Sequence, residues 1–239
     1  MLTTTLLLTS LLHAEHPAAH WGYSGAGAPA HWGDIDPKFQ TCKQGVNQAP
    51  INLTGFVESE LPAITFDYTL STSNILNNGH AIQANVKNGS SITVDGIVFD
   101  LKQFHFHNPS ENNINSKSFP LEAHFVHASK DGELAVVAVM FEEGKENQAL
   151  KELWAKMPHK VGDKTPIDAK HLEALLPKNR DYYRFNGSLT TPPCTEGVRW
   201  LVLKTPVTLS AAQIEAFKNV MHHPNNRPIQ PTNARVILK

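Results

Sequence analysis

The 239-residue sequence has little that would tie it to a membrane or a polyanion. Lys and Arg total 21 against 22 Asp and Glu, a net charge of -1, so there is no basic excess to neutralise phosphate backbones or acidic lipid. This excludes nucleic acid and membrane surfaces as expected partners. The first apolar stretch, Leu6 to Leu12, falls far short of the ~20 residues a helix needs to span a bilayer. No Lys or Arg precedes Lys38, so the charged n-region of a full secretory leader is missing. The apolar stretch and Ala14 after it nevertheless fit the remains of one. Residues 1–15 are read as a signal peptide or its remnant, and residues 16–239 as one domain. No Pro/Gly/Ser-rich linker, low-complexity tract or 20- to 50-residue repeat divides them, which excludes solenoids and arrays.

Cysteine is scarce as well. Cys42 and Cys194 are the only two. They form either one disulfide closing a very long loop in an exported chain, or two buried thiols in a cytosolic one. The apolar leader favours the first reading and a periplasmic or secreted protein.

Short strand-like runs dominate from Ala63 to Phe141: Ala63–Leu70, Ala81–Val86, Ser91–Val94, Ile97–His107, Leu121–His127 and Leu134–Phe141. Turn signals such as Asn88-Gly89, Asp95-Gly96 and Asp131-Gly132 separate them. Further strand runs fall at Val198–Lys204 and Ala234–Leu238. Helical spacing is confined to Lys145–Met157, Asp168–Leu176 and Ser210–Met221, the last opened by a capping box, Ser210-x-x-Gln213. The pattern is mainly β with peripheral helices.

Histidine is abundant, at 13 residues, and imidazole is both the side chain that titrates near neutrality and the commonest metal ligand. In the run Gln103-Phe104-His105-Phe106-His107, strand alternation puts Gln103, His105 and His107 on one face and both phenylalanines on the other. In Leu121–His127 the same alternation groups Glu122, His124 and Val126, with His127 opposite. Were the two strands neighbours, His105, His107 and His124 would converge. Three neutral nitrogen donors with a fourth position open is the pattern of a catalytic rather than a structural zinc site. Gln103 and Glu122, each two residues ahead of a ligand on its own face, are placed to accept the ligands' other N–H groups. An isolated His-x-His is more ordinarily a pair of satisfied core histidines; the third His on a matching strand changes that balance. His13, His16 and His20, in a polar N-terminal segment, and His222 and His223, after a helix, are read as solvated. A rival pattern, His105-x-His107-x-x-x-Glu111, resembles cupin ligands. Ser118 where that pattern wants Gly, and the early Gly96, weaken it. The zinc-protease signature H-E-x-x-H is absent.

Several further segments resemble those of the α-class carbonic anhydrases over nearly the whole chain. They are His20-Trp21-Gly22-Tyr23, Gln48-Ala49-Pro50-Ile51, Asn77-Asn78-Gly79-His80, the two histidine strands, Gly187-Ser188-Leu189-Thr190-Thr191-Pro192-Pro193-Cys194 and Asn226-Arg227-Pro228. The resemblance implies a single domain around a large, mostly antiparallel, twisted ten-stranded sheet. It implies Zn2+ on His105, His107 and His124, and reversible hydration of carbon dioxide to bicarbonate and a proton by a zinc-bound hydroxide. It makes Glu111 the acceptor for the Thr190 hydroxyl and His80 the proton shuttle. Val126, Val136, Leu189 and Trp200 become the apolar pocket for carbon dioxide, while Tyr23, Asn78, Gln83 and Thr191 line the polar wall and its water chain. Exported members carry a disulfide matching Cys42 to Cys194 and a cis peptide at Pro192-Pro193. A monomer or homodimer is expected.

Two departures stand out. Ala49 replaces a frequent Ser, and Asn112 replaces a frequent His after Glu111, with looser packing beneath the site as the expected consequence. Two other classes stay open on sequence alone: a catalytically silent carbonic-anhydrase-like binding module, and a cupin-type metalloenzyme.

Overall fold

The computed structural model describes residues 20–68, 72–168 and 172–239. The leader reading for residues 1–15, and His13 and His16, lie outside them. Short 3-10 turns and two four-residue helices, α1 (Trp32–Ile35) and α2 (Thr41–Gln44), open the described chain. The strands then follow as β1 (Asn52–Leu53), β2 (Thr65–Asp67), β3 (Thr72–Asn77), β4 (Ile82–Val86), β5 (Ser91–Val94), β6 (Ile97–His107), β7 (Asn113–Ile114), β8 (Leu121–Ala128) and β9 (Leu134–Glu143). After α3 (Gln148–Trp154) come β10 (Lys164–Pro166), β11 (Tyr182–Ser188), β12 (Glu196–Leu203), β13 (Val207–Leu209) and α4 (Ala211–Met221).

Among the described residues eleven strands form one sheet, with the path β10-β3-β4-β6-β8-β9-β12-β11; β13 joins β9, β5 joins the first half of β6, and β2 joins β5. Among the described residues only its β9–β12 and β9–β13 ladders are parallel. The architecture is thus the mainly β, mostly antiparallel one expected. The count is eleven rather than ten because three-residue pieces such as β10 and β13, too short to leave a pattern in sequence, add hydrogen-bonded rungs. β1 and β7 make a separate parallel pair.

β6 organises the molecule. Its first residues turn back on β5 through Asp95-Gly96, where both residues take positive φ, while its second half pairs with β4 and its length with β8. The alternation read from the sequence holds. Phe104 and Phe106 lie fully buried in a core shared with Phe125, Val137 and Val139 and roofed by α3 and α4, where Phe106 meets Trp154 edge-on at 5.0 Å. Burying each such ring contributes roughly 2–3 kcal/mol. The opposite face of β9 and β12 builds a second core from Val136, Ala138, Met140, Trp200 and Val202. β9 is apolar on both faces, which is why Leu134–Phe141 reads as a continuous run rather than an alternation.

Three sequence readings need correction. The helix expected over Lys145–Met157 contracts to Gln148–Trp154, because the Asn147 side chain accepts from Leu150 N and fixes the start. Of Asp168–Leu176, the described part forms only a 3-10 turn, Leu172–Leu175. Ala234–Leu238 is no strand: Asn233 takes φ 53° and the Arg235 guanidinium folds back onto the Thr232 and Pro231 carbonyls, leaving single bridges from Leu238 to Val57 and Arg184. By contrast, the capping box at Ser210 and Gln213 is formed at the head of α4. Cys42 and Cys194 are disulfide-bonded across 152 residues of sequence. Pro192-Pro193 is cis, as are Ala49-Pro50 and Asn108-Pro109.

Candidate metal centre

The β6–β8 register sets His105 directly opposite His124, and His107 follows on the same face. One nitrogen of each ring is engaged: His105 Nδ1 with Gln103 Oε1 at 2.8 Å, His107 Nδ1 with the Asn225 carbonyl at 2.6 Å, and His124 Nε2 with Glu122 Oε1 at 2.9 Å. A carbonyl or carboxylate oxygen only accepts, so those nitrogens carry the protons. The lone pairs of His105 Nε2, His107 Nε2 and His124 Nδ1 are left over. One nitrogen from each residue lies within 4.8 Å of those of the other two. Burial, reinforced for His105 and His124 by neighbouring imidazoles, holds all three pKa values below the usual range, so the rings are neutral donors. His107 Nε2 is buried without a protein partner, an arrangement that suits a metal ligand and not a satisfied core histidine. Three neutral nitrogen donors match zinc with a position to spare.

Beneath the triad the carboxylates are held by backbone. Glu122 Oε2 accepts from Glu111 N at 2.7 Å and Asn112 N at 2.8 Å, and its Oε1 accepts from Asn112 Nδ2 at 2.8 Å. Burial pushes Glu122 up to about 7, against these hydrogen bonds. Asn112 does not loosen the packing: fully buried, it also accepts from Ile51 N through Oδ1. Glu111 Oε1 accepts from Arg227 N at 2.8 Å, while Oε2 has no protein partner and lies 3.4 Å from His107 Nε2. Burial raises the Glu111 pKa, and the Arg227 backbone and the nearby Thr190 hydroxyl oppose the rise. The Arg227 side chain, itself buried, donates to Gln48 Oε1 and to the Ala49 and Cys42 carbonyls. Sequence reasoning quoted Gln48 and Arg227 as motif residues without seeing this brace. The Asn225 carbonyl, a backbone atom, left no side-chain signal to read.

Thr190 is buried on the loop after β11, which closes on itself through Leu189 N to Thr195 O and Cys194 N to Thr191 O. The disulfide pins its far end. Val126, Val136, Leu189 and Trp200 come together on the second core. There the Trp200 ring meets His124 edge-on at 4.9 Å and its Nε1 donates to Ser188 O. Gly187 permits this: a Cβ there would sit 2.9 Å from Trp200 Cδ1.

A cavity of about 120 Å³ rises from His105 and His107 past Gln83 and Thr191 to Tyr23, Asn78 and His80. Asn78 Oδ1 accepts from His80 N, and its Nδ2 donates to Gln83 Oε1. His80 stacks on Trp21 at 3.6 Å between centroids, and burial, then the charges of His20 and His223, lower its pKa to about 4. Of the residues named from sequence, Gln103, Glu122 and Glu111 lie against the triad, Tyr23, Asn78, His80, Gln83 and Thr191 line this cavity, and Val126, Val136, Leu189 and Trp200 lie in the second core. A larger cleft of about 720 Å³ lies at the β11–β12 edge. Its Arg184 and Arg199 are already paired with Asp95 and Glu133, so its size carries no chemistry comparable to the triad's.

Sheet and triad together define a β protein with three histidines grouped where they could hold a metal ion. A family model for eukaryotic-type carbonic anhydrases matches residues 27–239. A carbonic anhydrase of Pectobacterium atrosepticum is 50% identical over 238 residues, covering 98% of this chain and 96% of that one. An α-carbonic anhydrase from Thermovibrio ammonificans, solved with the inhibitor sulfanilamide, superposes with TM-score 0.90 at 48% identity, covering 93% of this chain and all of the other. That of Photobacterium profundum gives 0.88 at 51% identity, over 92% of this chain and 100% of its own. The chain belongs to the eukaryotic-type, or alpha, carbonic anhydrase family, and is an enzyme of carbon dioxide hydration. Among the described residues no helix is long and apolar enough to cross a membrane.

Proposed function

We propose that this enzyme hydrates carbon dioxide with a zinc ion held by His105 Nε2, His107 Nε2 and His124 Nδ1. The observation that carries the proposal is the convergence of three neutral, buried imidazoles whose other nitrogens are already engaged. When bound, zinc supplies Lewis acidity that brings the pKa of a water molecule into the neutral range, a property for which carbonic anhydrases are themselves the reference case.

The chain's own residues do the rest. Gln103, Glu122 and the Asn225 carbonyl fix the tautomer and tilt of each ring. An ionised Glu111 only accepts, so the Thr190 hydroxyl donates to it and turns a lone pair toward the attacking oxygen. That oxygen is aimed at carbon, an orientation effect. Val126, Val136, Leu189 and Trp200 offer the apolar gas a dry surface beside His124. Tyr23, Asn78, Gln83 and Thr191 make the polar wall along which the released proton travels to His80. Attack of water on carbon dioxide gives bicarbonate and one proton, so each turnover requires that transfer. The cupin assignment fails here, because Glu111 is tied to Arg227 N and the sheet is an open path.

The disulfide supports export to the periplasm or the medium, with residues 16–239 acting as the mature domain, as monomer or homodimer. Substituting His124→Ala is expected to abolish zinc binding, read by metal analysis, and hydration together. Hydration surviving the loss of zinc would refute the proposal.

A further inference from the structure

The functional reading needs the Thr190 hydroxyl at the Glu111 carboxylate, yet the two residues belong to distant parts of the chain. Glu111 follows β6 and Thr190 sits on the loop after β11. β6 and β11 do not pair in the sheet, so no ladder joins the two residues directly. Residues 42–49 span the gap. Ala49 N donates to Ser188 Oγ at 2.9 Å, where the Thr190 loop begins. Where the loop ends, Gln48 Nε2 donates to Cys194 O at 3.1 Å and to Glu196 Oε1 at 3.0 Å, and Asn47 N donates to the same Glu196 oxygen at 2.7 Å.

Arg227 ties this segment to Glu111. Its guanidinium donates to Gln48 Oε1 and Ala49 O at 2.8 Å and to Cys42 O at 2.9 Å, while its backbone N–H is the donor that holds Glu111 Oε1. The Gln48 amide therefore works in two directions, its oxygen toward Arg227 and its NH2 toward the loop. The guanidinium is buried, and none of these three side-chain bonds goes to a carboxylate. Burying a cation against neutral oxygens costs stability, and an apolar side chain of similar length would avoid that cost. What the guanidinium offers instead is a rigid planar fork of donors that fixes several oxygens at set angles. Those oxygens lie on the segment that grips the loop at both ends.

We propose that Arg227 and Gln48 are positioning residues for the reaction, a strut that holds the Thr190 loop and Glu111 at the separation where the hydroxyl donates to the carboxylate. Neither side chain lines the cavity above the triad, so both act through geometry alone. The inference rests on the functional reading above, which leaves both side chains without a part in the chemistry.

The test is a double-mutant cycle in carbon dioxide hydration at full zinc content, with wild type, Arg227→Met, Thr190→Val and the two substitutions combined. Arg227→Met is expected to lose on the order of 10-fold in kcat/KM, since a small misplacement of the hydroxyl suffices. In the Thr190→Val background the same substitution is expected to cost less than about 2-fold, because no hydroxyl remains to be misplaced. A merely structural defect would multiply with the Thr190→Val loss instead. Amide hydrogen exchange on the protein as purified gives a second readout. The Leu189 and Cys194 amides, which close the loop, are expected to exchange faster in Arg227→Met, while those of Val137 and Val139 in the main core keep their rates. Should Arg227→Met fail to fold, Gln48→Met takes its place in both measurements. Multiplying losses, wild-type kcat/KM in the strut variant, or loop amides that exchange at the wild-type rate overturn the inference. Full activity in Thr190→Val instead removes the reading of Thr190 beneath it, and the exchange rates then decide whether the strut holds the loop.

Discussion

The Glu122 carboxylate stands 2.9 Å from His124 Nε2 while its other oxygen holds two successive backbone amides, Glu111 N and Asn112 N. One side chain therefore orients a proposed metal ligand and anchors the turn that carries Glu111. A Gln at this position has one accepting oxygen. If that oxygen keeps the amides, its NH2 opposes both the His124 N–H and Asn112 Nδ2. Glu122→Gln is expected to weaken zinc binding by about 10- to 100-fold, measured by competition with a chromophoric chelator. Wild-type affinity would show that the pair is packing alone.

In the proposed mechanism Thr190 acts on the reaction without holding the metal. Thr190→Val keeps the shape and removes the hydroxyl that joins Glu111 to the attacking oxygen. A loss on the order of 100-fold in kcat/KM is expected at full zinc content, the size seen when one positioned hydrogen-bonding group is deleted. A comparable loss of zinc would place the residue in metal retention.

His127 points away from the triad into the main core, with Nε2 accepting from Tyr68 Oη and Nδ1 donating to Ala135 O. Burial, against the Ala135 and Phe125 backbone hydrogen bonds, lowers its pKa from 6.5 to about 4. Unfolding in that interval takes up a proton. Stability therefore falls as pH drops from about 6.5 toward 4, by about 3 kcal/mol for this group. His127→Gln can keep both hydrogen bonds without titrating. Denaturant unfolding at pH 7 and pH 4 should show a smaller acid loss in the variant by roughly that amount; equal losses would shift the acid sensitivity elsewhere.

The disulfide closes a loop of 152 residues next to the Thr190 loop. In the chain-entropy account, removing such a link costs about 4–5 kcal/mol. A Cys42→Ser/Cys194→Ser double variant is expected to unfold at correspondingly lower urea concentration. An unchanged midpoint would mean that the Arg227 bonds to Cys42 O and Ala49 O suffice to hold this region.

The site was more legible in the sequence than the periphery of the fold. His105, His107 and His124 sit on two strands whose period-2 pattern is clean because one face is core, and the register then follows. β3 and β11 escaped notice since Thr72–Asn77 and Tyr182–Ser188 are rich in polar and turn-forming residues, and pairing with β4 and β12 decides their conformation. Ala234–Leu238 misled for the opposite reason: β-branched residues at an edge, where Arg235 binds carbonyls and no ladder forms. The Arg227 brace and the Asn225 carbonyl depend on contacts more than a hundred residues apart in sequence, which no local pattern encodes.

The central claim is that three imidazoles hold the ion on which hydration depends. Metal analysis joined to a carbon dioxide hydration assay, on the protein as purified, after chelation and after zinc is returned, tests it most directly. The account predicts one zinc per chain, activity lost with the metal and regained with it. Full hydration by zinc-free protein, or zinc retained in a His105→Ala/His107→Ala/His124→Ala variant, would contradict it.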